Sequence, residues 1–215
     1  MKNIVLLFYF CFISTSLVAQ HMTEKAPFKL RLYSGLSLPM GDFASESGEK
    51  AGLATTGFLV MLEAASPMSP IIDLTFSLTL AQNSFNDTKA SEQLSPIDVS
   101  AGSYYMTWFM GGLQIGPESY NGSRFYIAGN LGLLFPSFPD ITLQYQGSKS
   151  TIVTESKVAV GYGFGAGVQL DKINIGIRYL SATPSYTQKV ERSTGRGFDM
   201  ELPASVLLVM IGFTF

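Results

Sequence analysis

The sequence predicts an all-β fold, an eight-stranded antiparallel up-and-down transmembrane β-barrel with short periplasmic turns and long extracellular loops. Three observations carry that expectation. Apolar and polar residues alternate with period two over several stretches of about ten residues. The connections between these stretches are alternately long and short. The 215-residue chain ends on ASVLLVMIGFTF, a strand-like run that stops at Phe215 with no polar tail, whereas the ends of soluble domains usually fray into water. Composition agrees: charged residues make up 14% against roughly 25% in soluble domains, aromatics reach 13%, and glycines number 21. A formal net charge of −2 supplies no basic field, so nucleic acid is not expected as a partner.

Taken in order, the chain opens MKNIVLLFYFCFISTSLVAQ, with Lys2 as a basic start, Ile4 to Ile13 as an apolar stretch, and a small, polar exit. This is the pattern of a secretory signal peptide over 1–20, cleaved after Ala19 or Gln20. Ser14, Thr15 and Ser16 interrupt the run well short of the ~20 residues a spanning helix needs. Cys11, the only cysteine, leaves with this peptide, so the mature chain is expected without disulfides and with a net charge of −3. Residues 21–27 form a periplasmic N-terminal segment, and 28–215 form the barrel.

In FKLRLYSGLSL, Phe28, Leu30, Leu32, Leu36 and Leu38 share one face, while Lys29, Arg31, Tyr33, Gly35 and Ser37 share the other. The run from Ile72 sets Leu74, Phe76, Leu78 and Leu80 against Asp73, Thr75, Ser77 and Thr79. In 157–170, Val158, Val160, Tyr162, Phe164, Ala166, Val168 and Leu170 oppose Lys157, Ala159, four glycines and Gln169. INIGIRYL sets Ile173, Ile175, Ile177 and Tyr179 against Asn174, Gly176 and Arg178. Residues 53–64, 103–115 and 124–135 alternate less cleanly, and 202–215 is apolar on both faces, which completes eight strands. The alternation leaves the face of Trp108 open. Long connections fall at 39–52, 82–102, 136–156 and 181–201; short ones fall at 65–70, 116–123 and around Asp171.

In hydrocarbon every backbone N–H and C=O must be satisfied internally, so the first strand must pair with the last. A soluble lipocalin-type barrel would reverse the two faces. Here the polar face carries Lys29, Arg31, Glu63, Asp73, Gln114, Gln169 and Arg178, which suits the axis of a membrane barrel and not a cavity for an apolar guest. Buried charges persist only when paired. Lys29 or Arg31 is therefore expected to pair with Glu63 or Asp73, with Arg178 in the same interior cluster. Eight strands enclose a space that side chains fill, so a packed polar core is expected in place of a pore.

These residues resemble the small eight-stranded outer-membrane barrels of the OmpX and OmpA transmembrane type, in their porin-family form. The resemblance rests on the signal peptide, the opening strand YSGLSLPMGDF (Tyr33 to Phe43), the alternating loop lengths and the terminal VMIGFTF, and it covers 28–215. It implies an integral protein of the Gram-negative outer membrane, surrounded by outer-membrane lipid. It also implies that Val209, Ile211, Phe213 and Phe215 are the signal read by the barrel-assembly machinery. Val206, Leu208 and Met210 depart from the pattern by making the inward face apolar, which predicts a dry layer in the core.

Catalysis finds little support. Barrel enzymes that act on lipid or protein look to a histidine, and His21 is the only one, outside any strand. No cysteine and histidine cluster offers a metal site, and no cofactor is expected. GYGFGAG (Gly161 to Gly167) superficially matches a dinucleotide fingerprint, but its glycines alternate with Tyr162 and Phe164 as inward positions of a strand. Aromatics at strand ends, namely Phe28, Tyr104, Tyr105, Phe125, Phe135, Phe138, Tyr179 and Phe215, suit interfacial girdles. Residues 140–156 alternate around a turn near Gly147, which suggests a projecting hairpin whose edge captures a surface partner by strand addition. The expectation is a monomeric, non-enzymatic barrel with a structural or surface-interaction role through its loops. A narrow pore or transporter for small solutes is the alternative, and a lipid-modifying enzyme is the least favoured.

Overall fold

The computed structural model describes residues 28–48, 51–117, 123–191 and 197–215. The expected signal peptide 1–20, the segment 21–27 and His21 lie outside the described residues. The elements run β1 (Lys29–Met40), β2 (Gly57–Ser69), β3 (Ile72–Ser84), α1 (Asp87–Gln93), β4 (Asp98–Ala101), β5 (Ser103–Ile115) and β6 (Ser123–Ser137). They continue with β7 (Ile141–Tyr145), β8 (Ser148–Ser156), β9 (Ala159–Leu170), β10 (Ile173–Ala182), β11 (Ser185–Val190), β12 (Phe198–Glu201) and β13 (Ala204–Thr214).

Eight of these strands close into an antiparallel barrel in the order β1-β13-β10-β9-β6-β5-β3-β2. Closure pairs the two ends of the chain, Arg31 opposite Thr214 through Met40 opposite Ser205, as an edge-free sheet demands. The eight predicted strands all appear, with ends shifted by a few residues. The main correction is at 65–70, expected as a turn. There β2 continues to Ser69, with a register shift between Pro67 and Ser69. A proline is tolerated inside a strand at such an irregularity, because its missing N–H falls where the ladder is already interrupted.

Period two sorts the side chains as the alternation predicts. Leu32, Leu36, Phe58, Val60, Phe76, Leu80, Ile175 and Ile177 are exposed on the outside, while Arg31, Glu63, Asp73, Asn174 and Arg178 are buried inside. Trp108 points inward and is fully buried. Gly161 leaves it room, since a methyl group at 161 would stand 2.7 Å from Trp108 Cζ3. The GYGFGAG run is thus wholly strand, part of β9.

Tyr104 and Phe138 depart from the girdle expectation, being buried while Tyr105 is exposed. The phase of β5 decides this for Tyr104: it shares the inward side with Met106 and Trp108, both buried. The two rings close the loop end of the barrel, each packed edge to face, Phe43 to Tyr104 at 5.0 Å and Tyr104 to Phe138 at 5.4 Å.

The long connections are themselves folded. A second, five-stranded sheet runs β12-β11-β8-β7-β4 across the loop end. The hairpin expected at 140–156 exists as β7 and β8, turning at Gln146 and Gly147, both at positive φ, as a tight two-residue hairpin requires. Its flanks are taken, because β7 pairs with β4 and β8 pairs with β11. Most of the edge at which strand addition is expected is therefore occupied by the protein's own strands. The sheet's ends are β4 and β12.

Candidate functional site: an interior ionic cluster and a folded loop layer

The predicted interior residues converge. Arg31 of β1 and Glu63 of β2 are direct register partners, and Arg31 Nη1 donates to Glu63 Oε1 at 3.0 Å and to Gln114 Oε1 at 2.7 Å. Arg31 Nη2 reaches Asp73 Oδ2 of β3 at 3.4 Å. Arg178 of β10 donates to the second Glu63 oxygen at 2.6 Å. Lys29 lies two residues nearer the short-turn end on the same face, half-buried.

The sequence reading missed Arg124 of β6, which donates through Nη1 to Asp73 Oδ2 at 2.6 Å and through Nε to the Gly116 carbonyl at 2.8 Å. The signal that would have found it is the outward run Phe125, Ile127, Leu131 and Leu133, which fixes Arg124 as inward. Each carboxylate therefore serves two guanidinium groups, with side chains at most 4% exposed. Charge-assisted bonds of this length tie together five strands, β1, β2, β3, β6 and β10. Both Glu63 oxygens face guanidinium donors, so neither opens onto a substrate-sized space. The chemistry the cluster supports is cohesion.

Toward the loop end the interior changes character. Met61, Met110, Met210, Leu208, Val206, Leu59, Met106, Leu134, Leu180 and Trp108 are all buried in one apolar cluster. This is the dry layer expected from Val206, Leu208 and Met210. Beyond it Ser37 donates to Asn83 Oδ1 at 2.9 Å, and the rings of Phe43, Tyr104 and Phe138 follow. Among the described residues, ionic, apolar and aromatic levels succeed one another along the axis. On the outer face of β13, Val209, Ile211, Phe213 and the terminal Phe215 are all exposed, at 40%, 57%, 44% and 70%.

The loop layer has one covered and one open edge among the described residues. At the β4 edge, α1 begins at the Asn86 cap, whose side chain accepts from the Lys89 N–H. The helix brings Ser91 Oγ to the Val99 N–H at 2.8 Å and Asp87 Oδ1 to the Ala101 N–H at 2.8 Å. Side chains of α1 thus satisfy the β4 edge. At the other end β12 pairs only with β11 and presents Phe198 at 77% and Met200 at 39% exposure. Behind it, the Thr187 hydroxyl on the Asp199 carboxylate, aided by Lys157, holds that carboxyl below its ordinary range.

No protein-family model matches the chain, and no curated protein does. Solved structures are similar in fold. The outer membrane protein OprG from Pseudomonas aeruginosa superposes with a TM-score of 0.50 at 9% identity, over 87% of this chain and 95% of that one. A major outer membrane protein from Thermus thermophilus gives 0.48 at 10% identity, over 88% and 100%. Ail, the attachment invasion locus protein of Yersinia pestis, gives 0.44 at 11% identity, over 89% and 100%. Identities this low speak to fold alone. By fold, this chain is a small eight-stranded antiparallel β-barrel of the kind found among outer-membrane proteins.

Proposed function

We propose that the protein is an integral barrel of the Gram-negative outer membrane whose filled interior conducts nothing and whose loop layer is the working surface. The observation that carries this reading is the contrast between the two ends of the polarity. The outside of the cylinder is a continuous belt of exposed leucine, isoleucine, valine and phenylalanine, while the axis holds the charges. Only acyl chains make such a belt favourable, because apolar patches far smaller than this drive association in water.

The short turns then face the periplasm and the loop layer faces outward, with Val209, Ile211, Phe213 and Phe215 offered to the assembly machinery. The surface role falls to the loop sheet, which meets its partner along β12 in place of the 140–156 hairpin. An open edge strand with alternate exposed apolar side chains is the geometry of strand addition. The dry layer of methionine, leucine and tryptophan weighs against the pore reading, since ions do not cross an apolar plug.

Planar-bilayer recording of the refolded, purified protein tests the sealed interior. The expected result is no unitary conductance at high salt. Reproducible steps that vanish on boiling the sample would overturn the reading in favour of a pore.

A further inference from the structure

The phase of β12 decides which of its backbone groups are free. On the neighbouring strand β11, the Ser185 carbonyl accepts from the Lys157 N–H at 2.9 Å, on the β8 side. Backbone groups alternate in direction along a strand, so the odd-numbered residues of β11 bond toward β8 and the even-numbered ones toward β12. The Leu202 N–H, which bonds the Pro184 carbonyl at 3.2 Å, agrees with this phase. Tyr186 opposite Met200 and Gln188 opposite Phe198 are then the bonded pairs of the ladder. The N–H and C=O groups of Asp199 and Glu201 point the other way, to the open edge, and bond no backbone group among the described residues.

The side chains alternate in step. Phe198 and Met200 share one face of the sheet, Asp199 and Glu201 share the other, and all four are exposed. A strand added antiparallel to β12 sets one residue directly opposite Asp199 and another opposite Glu201, with their side chains on the acidic face. A second copy of this edge is a poor candidate for that place. The edge-directed residues of β12 are both acidic, so each antiparallel register between two copies sets a carboxylate opposite a carboxylate, and like charges directly opposite destabilise a ladder. The edge is open to other strands and guarded against its own kind.

We infer that β12 accepts an extended segment in which basic and apolar residues alternate, with lysine or arginine opposite Glu201 and Asp199 and a β-branched or aromatic residue opposite Met200 and Phe198. This rests on the proposed docking along β12 and adds the partner's chemistry. Asp199 Oδ1 already accepts from the Thr187 hydroxyl and stands 3.8 Å from Lys157 Nζ, whereas Glu201 forms no ion pair among the described residues. Glu201 is therefore the stronger of the two determinants.

The test measures fluorescence anisotropy of a dye-labelled peptide, threonine-lysine-valine-lysine-phenylalanine-threonine, on the mature barrel in zwitterionic nanodiscs, with empty nanodiscs as the blank. Companion peptides carry glutamine or glutamate in place of both lysines, and a fourth carries N-methyl groups on the two lysine amides that face β12. The lysine peptide should bind saturably, the glutamine peptide about fivefold more weakly and the glutamate peptide more weakly again by a similar factor, while N-methylation abolishes binding. Glu201→Lys, which leaves the Thr187 bond to Asp199 in place, should erase the preference for lysine over glutamine. Equal affinity of the lysine and glutamine peptides, or a preference unmoved by Glu201→Lys, would overturn the inferred chemistry while leaving β12 as a docking edge. Binding that survives N-methylation, or none by any peptide, would overturn both.

Discussion

Glu63→Leu is the sharpest probe of the interior. The side chain is fully buried and accepts from Arg31 at 3.0 Å and from Arg178 at 2.6 Å. The two arginines are not equally dependent on it. Arg31 keeps Gln114 at 2.7 Å and Asp73 at 3.4 Å, whereas Arg178 keeps, among the described residues, the Met61 sulfur at 3.3 Å and Ser77 Oγ at 3.5 Å. The loss therefore falls on Arg178, a guanidinium 3% exposed and left without a counter-charge. Breaking a buried pair from one side costs about 3–5 kcal/mol, much of it the desolvated charge left behind.

Urea unfolding in lipid vesicles, followed by the loss of barrel circular dichroism, gives the midpoint and its slope. Glu63→Leu should lower the midpoint by the amount those few kcal/mol imply. Adding Arg178→Met should restore most of it, because the stranded charge is then gone. An unchanged midpoint in the single mutant, or a double mutant less stable than the single, would refute the assignment of cohesion to this pair.

Three further outcomes are expected. Gly161→Val places side-chain atoms against Trp108 and should cost about 1–3 kcal/mol; the emission of the chain's single tryptophan should shift in the same mutant. Ile177→Lys, on the outer face near the middle of β10, should cost about 2–4 kcal/mol in a bilayer, read as a lower folded fraction on heat-modifiability gels. The depressed Asp199 carboxyl contributes stability above its ordinary value of 3.8 that is lost as pH falls through the lower folded value. Amide exchange at Thr187 and Gln188 should therefore accelerate below about pH 4 in wild type and show no such step in Asp199→Asn.

The barrel was legible because a cylinder in lipid imposes one rule on every strand. Leu30, Leu74 and Ile175 each stand one residue from Arg31, Asp73 and Asn174, and two solvents of opposite polarity hold that phase along the whole strand. Most of the ionic cluster followed from the same phase. Arg124 escaped because Phe125 and Tyr126 sit side by side and blur the alternation at the start of β6. Tyr104 and Phe138 escaped for a related reason: an aromatic near a strand end suits either a girdle or a lid, and only its phase decides between them. The loop sheet was nearly invisible. DVSA and FDME are four residues each, too short for any periodicity; DVSA pairs with 141–144 of the next long loop, and the rung between β8 and β11 joins two further loops. The hairpin was readable from its local alternation and turn, but not the neighbours that occupy its flanks.

The seam between β1 and β13 has a consequence for biogenesis. Its rungs join residues 31–40 to residues 205–214, and the Phe215 N–H bonds the Leu30 carbonyl at 2.9 Å. The first strand of the barrel thus waits for the last one before it gains its second neighbour. Contacts between such remote parts of a polypeptide form slowly, and unpaired strands invite clumping meanwhile. Loss of even a few residues from β13 would leave the staves without their final hoop.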